Sequence, residues 1–179
     1  MNATLQPVGT AVQRVRSVLK RRPEAAMHAD APATARWQGG TRVVTSHADG
    51  AQVLTDMPAE LGGSGDQVTP GWLFRAGLAS CATTSIVLAA AAEGIELALL
   101  EVRVGSRSDV RGLLGMHDEA GQPVDAGPTD LHLQVRIDAP GVAPDRLRAL
   151  VEGAVRCSPV PSLVQQATAL ALRLDIART

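Results

Sequence analysis

Two cysteines, Cys81 and Cys157, are the side chains of this 179-residue chain best suited to nucleophilic or redox chemistry. Two thiols in a chain of this length do not form a disulfide scaffold, and they indicate a reducing compartment in which any disulfide is transient. A cysteine thiolate can attack a peroxide or another sulfur atom. The sequence therefore supports two function classes: a thiol-dependent redox enzyme, and a binding protein in which Cys81 is only a pocket residue.

The other residues that could carry chemistry form no recognisable metal or nucleotide motif. The cysteines lie far apart in sequence and the histidines are scattered, so neither has the ligand spacing of a zinc site. The glycine-rich segment 58–66 lacks the Gly-Lys-Ser/Thr ending of a phosphate-binding loop. We expect no metal and no cofactor. A cysteine–histidine hydrolase pair stays open as an alternative, although no histidine stands out.

Cys81 lies in a long apolar segment that is predicted to be a helix. Thr69 is a typical N-cap before a proline, and Gly94 is a typical residue just beyond a helix end. Arg75 is the only charged residue within 70–92. A helix that is apolar on nearly every side belongs inside the protein, which places Cys81 on a buried central helix.

The position of Cys81 along this helix bears on its reactivity. Cys81 comes eleven residues after Pro70, or about 16 Å from the helix start. The dipole of that helix acts only within its first turn, so it does not reach the sulfur. Because a buried cysteine in apolar surroundings is usually inert, a reactive Cys81 needs a cation from elsewhere, and arginine is the natural choice.

The remaining elements predict one α+β domain preceded by a helix. Residues 1–24 read as an N-terminal amphipathic helix, with five basic residues and one acidic residue. Residues 25–179 form the globular domain. The basic face of the N-terminal helix is expected to be solvated, with contact to an anionic partner as the alternative.

Within the globular domain, short and long strands flank two helices. Three short strands lie between residues 33 and 55, and longer strands are predicted at 95–107 and 131–137. A second helix covers 143–157. The chain is expected to end in a strand at 170–176, where four large aliphatic residues alternate with polar or small ones.

Charge and hydropathy argue against several partners. The formal net charge is −1 at pH 7, which gives no general reason to bind nucleic acid or an anionic membrane. The apolar stretch around 76–92 is too rich in Ala, Ser and Thr to be a convincing membrane span. The N-terminus, which has no apolar run before its basic residues, does not read as a secretory signal. We expect a cytoplasmic protein without nucleic-acid or membrane partners.

Several motifs, in order along the chain, resemble those of the OsmC/Ohr superfamily. They are Pro-Ala-Glu-Leu-Gly-Gly-Ser-Gly at 58–65, the Thr-Pro helix start at 69–70, Ala-Ser-Cys-Ala-Thr-Thr at 79–84, Asp-Val-Arg-Gly at 109–112, and Cys-Ser-Pro-Val at 157–160. The resemblance implies an α+β fold in which antiparallel sheet packs on two long helices. It also implies an intertwined homodimer with its sites at the subunit interface.

The implied activity is thiol-dependent reduction of organic hydroperoxides or another small apolar substrate. The resemblance makes Cys81 the peroxidatic cysteine, with a second cysteine that resolves it and a dithiol that reduces it. An arginine from the N-terminal strands stabilises the thiolate, and Arg42 fits this position best, with Arg36 second. The alternative is a non-catalytic OsmC-like dimer that binds small molecules or acts in a stress response.

The chain departs from the peroxidase pattern at two positions. Gly71 and Trp72 stand where a glutamate follows the helix-start proline. Ser158 stands in the position of the resolving cysteine, and Cys157 lies one residue earlier, as in a less characterised Ser-Pro-Val branch. One residue turns a helical side chain by about 100°. We therefore expect Cys157 to point away from Cys81, and Cys81 to be reduced directly by an external thiol.

Overall fold

The computed structural model describes residues 4–166 and 168–176, which contain five helices and five strands. Two further single turns of 3₁₀ helix lie in the connections. In chain order the elements are α1 (Gln6–Arg21), β1 (Thr34–Gly39), β2 (Arg42–Ser46), β3 (Gln52–Thr55), α2 (Pro70–Ala92), β4 (Leu99–Arg107), α3 (Val110–Leu113), β5 (Thr129–Asp138), α4 (Pro144–Arg156) and α5 (Pro159–Gln166).

Local signals fix both ends of the central helix α2. The Thr69 side chain accepts a hydrogen bond from the backbone N–H of Trp72 at 3.2 Å, as expected of an N-cap. At the other end Gly94 adopts a left-handed conformation with φ of 68°. The Gly94 N–H bonds the Ala91 carbonyl and the Ile95 N–H bonds the Ala90 carbonyl, which is a Schellman motif. The predicted bounds of the helix are confirmed.

The core of the chain lies around α2, which packs against α1, α4, α5 and β4. Small and aliphatic side chains of α2 are fully buried there, among them Ala82 and Ile86, and Leu150 of α4 packs beside them. Much of α2 nevertheless stays uncovered within one chain, since Trp72 and Phe74 are 48% and 39% exposed. The helix is apolar on all sides, but one chain covers only part of it.

Helix α1 docks on the end of α2 through a glycine contact and a carboxylate cap. A Cβ atom on Gly9 would lie 2.5 Å from the carbonyl oxygen of Ala91, so only glycine allows this approach of the two helices. The Glu96 carboxylate accepts the backbone N–H of Leu5 at 3.1 Å, at the start of α1. A negative charge at a helix N-terminus is stabilising. Helix α1 therefore packs against the end of α2 through specific contacts.

The strands form two antiparallel sheets, as the fold prediction requires. Strand β2 lies between β1 and β3, while β4 pairs with β5 over most of their length. Strand β4 packs against α2. Strand β5 alternates half-buried and exposed residues, which is the pattern of a sheet with one covered face. The α+β class with antiparallel sheet is confirmed.

The three-stranded sheet is poorly covered by its own chain. Both faces of β1 are exposed, and Trp37 at its centre is 74% exposed. Among the described residues no helix packs extensively against this sheet. A sheet with exposed apolar side chains needs a further layer.

The C-terminal segment corrects one prediction. Residues 168–176 form neither strand nor helix, and Leu170, Leu172, Leu174 and Ile176 are exposed. The predicted strand at 170–176 is therefore wrong for the described residues. An alternating pattern becomes a strand only where it finds a partner strand and an apolar surface, and this segment lies against neither. Instead the short helix α5 forms just before it.

Gly9→Ala tests the docking of α1. The added Cβ meets backbone rather than a flexible side chain, so we expect a loss of about 1–3 kcal/mol in the free energy of unfolding, measured by urea denaturation. Gly153→Ala in α4 is the matched control, because its Cβ meets no atom closer than 3.9 Å. The control should gain up to about 1 kcal/mol from helix propensity. Equal stability of the two variants would contradict the Gly9 contact.

Candidate active site around Cys81

The sulfur of Cys81 is half-buried where α2 meets the junction of α4 and α5. Its Sγ atom lies 3.2 Å from the Ser158 hydroxyl oxygen. The backbone N–H of Val160 donates to the same sulfur at 3.5 Å. Ser158 is fully buried and precedes α5 directly. Two neutral hydrogen-bonding groups from one helix start therefore converge on the thiol.

The start of α5 changes the sequence-based argument about helix dipoles. Cys81 is too far from the start of its own helix, but the first turn of α5 lies against its sulfur. The N-terminus of a helix carries partial positive charge and favours an anion. That a reactive Cys81 needs a cation from elsewhere stays a prediction, and the start of α5 is a further donor that it did not include. The sequence argument considered α2 alone.

Cys157, the residue before Ser158, has an exposed side chain. It lines a groove of about 660 Å³ between α1, α2 and α4, whose walls include Val12 and Leu88, and Cys81 is not part of that groove. Both cysteines are free thiols, and Cys157 is exposed. Ser158, rather than Cys157, is the residue of this pair that contacts Cys81.

Arg42 is bound to the glycine-rich loop of its own chain. Its Nη2 atom donates to Asp66 at 2.6 Å and to Ser64 at 2.7 Å, and lies 3.5 Å from the carboxylate of Asp56. The hydrogen bond and charge of Asp66 raise the pKa of Arg42. Among the described residues the recorded partners of Arg42 do not include Cys81. Its Nε and Nη1 groups are not used in these bonds and remain able to donate.

Asp56, which the sequence did not single out, is the centre of this cluster. Its buried carboxylate accepts hydrogen bonds from the Ser64 hydroxyl and backbone N–H, at 2.6 and 3.0 Å, and from the Thr41 hydroxyl. These bonds, with that of the Ser64 hydroxyl largest, hold the pKa of Asp56 far below its ordinary value. The loop donors that could bind a phosphate thus bind a carboxylate of the same chain.

The other predicted positions are less constrained. Arg36 in β1 is exposed, and it forms no ion pair within residues 4–166 and 168–176. Trp72, which stands where the peroxidase pattern has a glutamate, is half-exposed in the first turn of α2.

Among residues 4–166 and 168–176, no group of three or more His, Cys, Asp or Glu side chains could hold a metal ion. Helix α2 is long and apolar enough to cross a membrane, but so is a core helix of a soluble protein.

Solved structures place this fold among the OsmC/Ohr proteins. An OsmC-like protein from Mycoplasma pneumoniae superposes with a TM-score of 0.63 at 17% identity, covering 78% of this chain and 89% of that one. An organic hydroperoxide resistance protein from Legionella pneumophila gives 0.54 at 23% identity, covering 77% and 92%. One from Elizabethkingia anophelis gives 0.56 at 21% identity, covering 78% and 90%. At these identities the likeness shows the fold.

The family follows from the sequence itself. A family model described as OsmC-like protein matches residues 63–173, which is more than half of the chain. The chain belongs to the OsmC-like protein family. A search of curated protein sequences found no match. The predicted resemblance is confirmed at the level of family and fold.

Asp56→Asn tests the carboxylate cluster through pH. Because the folded pKa of Asp56 is depressed, its contribution to stability is present above the unfolded-state pKa of about 3.9 and is lost as pH falls below it. Asp56→Asn should lower the urea midpoint at pH 7 and reduce the difference between pH 7 and pH 3. Asp30→Asn, in the exposed linker, is the control and should leave both values near wild type. A variant that keeps the full wild-type pH dependence would contradict this role.

Proposed function

We propose that this protein reduces organic hydroperoxides in a thiol-dependent reaction at Cys81. The observation that carries the proposal is the contact of the half-buried sulfur with the Ser158 hydroxyl and the Val160 N–H. Such donors favour the thiolate, which is the nucleophilic form of cysteine. Membership of the OsmC-like family supports it, as do two similar structures whose proteins are named for organic hydroperoxide resistance.

The reaction balances without a metal or a cofactor. The Cys81 thiolate attacks one peroxide oxygen, the O–O bond breaks, and the alkoxide leaves and takes a proton to become the alcohol. The sulfur, oxidised by two electrons, becomes a sulfenic acid. A dithiol then attacks the sulfenic sulfur and releases water. Its second thiol breaks the mixed disulfide, which returns Cys81 to the thiolate and leaves the reductant as a disulfide.

The resolving step is assigned to the external dithiol rather than to Cys157. Cys157 lines the groove between α1, α2 and α4, away from the contacts of Cys81. A disulfide needs converging Cβ vectors and Cα atoms within about 7 Å. The residue that does contact Cys81 is Ser158, whose hydroxyl cannot form a disulfide. A two-thiol reductant supplies what the chain lacks at this position.

Arg42 remains our proposed second source of thiolate stabilisation, with Arg36 as the alternative. Within one chain Arg42 holds the glycine-rich loop with Nη2 only, so its other donors are available to a sulfur from a second copy. Arg36 lies on the adjoining exposed strand β1. Either arginine would act across an interface, at the edge of the uncovered sheet.

A cytoplasmic, intertwined homodimer is the proposed assembly. The uncovered face of α2 carries Trp72 and Phe74, and the uncovered sheet carries Trp37. A second copy that lays its sheet over α2 covers both surfaces with one contact. In this assembly residues 1–24 are an N-terminal helix added to the OsmC-like domain at 25–179, and the family match lies wholly within that domain.

Cysteine variants test the peroxidase reaction. With tert-butyl hydroperoxide and dihydrolipoamide, Cys81→Ser should consume no peroxide. Cys157→Ser should keep at least about half of the wild-type rate, because a thiol that does not converge on Cys81 cannot resolve it. A Cys157→Ser protein that stops after one turnover would show that Cys157 is the resolving residue.

Mass spectrometry of the wild-type protein separates the proposal from its alternative. After one equivalent of hydroperoxide and no reductant, the proposal requires oxidation at Cys81. A Cys81 that stays reduced leaves the non-catalytic dimer, which binds small molecules or acts in a stress response, as the better description. Peptide mapping assigns the oxidation to Cys81 or Cys157.

Sedimentation tests the dimer. We expect a dimer at micromolar concentration, because a single chain leaves the apolar face of α2 in water. Phe74→Asp should shift the protein toward monomer or destabilise it, since the charge would be buried at the interface. Met27→Asp, in the exposed linker, is the control and should stay dimeric. A stable wild-type monomer at the same concentration would refute the assembly.

A further inference from the structure

We infer that Ser158 and the Val160 N–H form a neutral anion seat that holds the Cys81 sulfur as a thiolate and positions it for reaction. The seat is defined by these two groups. It deepens the proposed function, because the same seat receives Cys81 as the leaving thiolate when the reductant breaks the mixed disulfide. The inference rests on the proposed function only for that second role.

The sequence of α5 leaves one backbone donor for the sulfur. The first N–H groups of a helix have no partner within the helix. In α5 the first and third residues are Pro159 and Pro161, which have no N–H. The Ser162 N–H is already bonded to the Ser158 carbonyl, and the Ser158 N–H to the Val155 carbonyl. Val160 therefore carries the one free donor of this turn, and that donor meets Cys81.

The same proline arrangement frees the Ser158 hydroxyl for the sulfur. A serine before a helix normally accepts a hydrogen bond from the N–H of the second or third helical residue. Here the second residue, Val160, donates its N–H to Cys81, and the third, Pro161, has no N–H. Neither residue therefore donates a hydrogen bond to the Ser158 hydroxyl. In the described part of the chain the recorded hydrogen bond of the Ser158 hydroxyl is the one with Cys81. A hydroxyl can rotate to donate its proton to a thiolate.

The burial of Ser158 strengthens its hydrogen bond with the Cys81 sulfur. Ser158 is fully buried, and a hydrogen bond is electrostatically stronger in a low-dielectric surrounding than in water. The segment Pro159–Gln166 contains no charged residue. Arg75, the one charged residue of α2, donates to Ser106, and Arg146 of α4 pairs with Glu93. No recorded contact joins Cys81 to a charged group among residues 4–166 and 168–176.

The alkylation rate of Cys81 as a function of pH tests the seat without any peroxide. Iodoacetamide labelling is followed by peptide mass spectrometry, in which Cys157 of the same molecule serves as an internal reference. Ser158→Ala should slow Cys81 labelling near neutral pH about tenfold, the size expected for one hydrogen bond to a charged group, and should shift the curve to higher pH. Labelling of Cys157 should not change.

Two further serine variants separate a positioning role from a structural one. Ser158→Thr keeps the hydroxyl and should restore most of the labelling rate and the position of the pH curve. Ser162→Ala removes a hydroxyl of the same helix that does not contact Cys81, and should behave as wild type. A pH curve for Ser158→Ala that overlies the wild-type curve would overturn the seat.

Ser158→Cys tests the geometry independently. A sulfur placed so near Cys81 should form an intramolecular disulfide with it when the protein is treated with diamide, which oxidises dithiols without a peroxide. The wild-type protein, with Cys157 as its second thiol, is the control and should not form this link. Failure of Ser158→Cys to cross-link, with the wild-type protein forming an 81–157 disulfide instead, would overturn the placement of Ser158.

The experiments distinguish a failure of the Ser158 seat from a failure of the proposed peroxidase reaction. Ser158-dependent labelling without any hydroperoxide consumption would keep the seat and remove the peroxidase reaction. Normal hydroperoxide consumption by Ser158→Ala with an unshifted labelling curve would keep the peroxidase and remove the seat.

Discussion

The apolar surface of α2 is the constraint on which the rest of this structure depends. A 23-residue helix with one charged side chain needs apolar neighbours on every side. Within one chain α1, α4 and β4 supply part of that cover. The part of α2 that stays exposed lies around Trp72 and Phe74, and the three-stranded sheet of the same chain also has exposed apolar side chains. Because one chain carries both exposed apolar surfaces, a second copy of the chain could cover both of them, which is the physical reason for proposing a dimer.

The same packing determines which groups contact Cys81. Helix α4 packs against α2, and it ends at Arg156, two residues before Ser158. The turn into α5 then places its first N–H against the sulfur. Cys81 receives its hydrogen-bonding partners because two helices meet at a close distance, rather than from any motif around the cysteine itself.

Sequence reasoning succeeded where the signals are local. Thr69 and Gly94 mark the ends of α2 through backbone chemistry that each residue carries by itself. It failed where a contact joins distant segments, as for Asp56, whose carboxylate accepts hydrogen bonds from Thr41 in the turn before β2 and from the glycine-rich loop. It also failed at 170–176, because alternation indicates a strand only if a partner strand is present. The Pro-Val-Pro run after Ser158 was a usable signal, since it shows which N–H of α5 is free.

The departure from the peroxidase pattern at Ser158 is consistent with the proposed seat. A resolving cysteine in the position of Ser158 would be consumed in a disulfide during each cycle, whereas a serine there stays a hydrogen-bond donor throughout. The Ser158 hydroxyl is neutral and belongs to a fully buried residue, so salt screens it far less than an exposed arginine. If the proposed seat acts in this way, the reactivity of Cys81 depends on how closely the start of α5 is held against α2. In this proposal, packing at the α4–α5 junction and an arginine from a second copy would together determine how stable the Cys81 thiolate is.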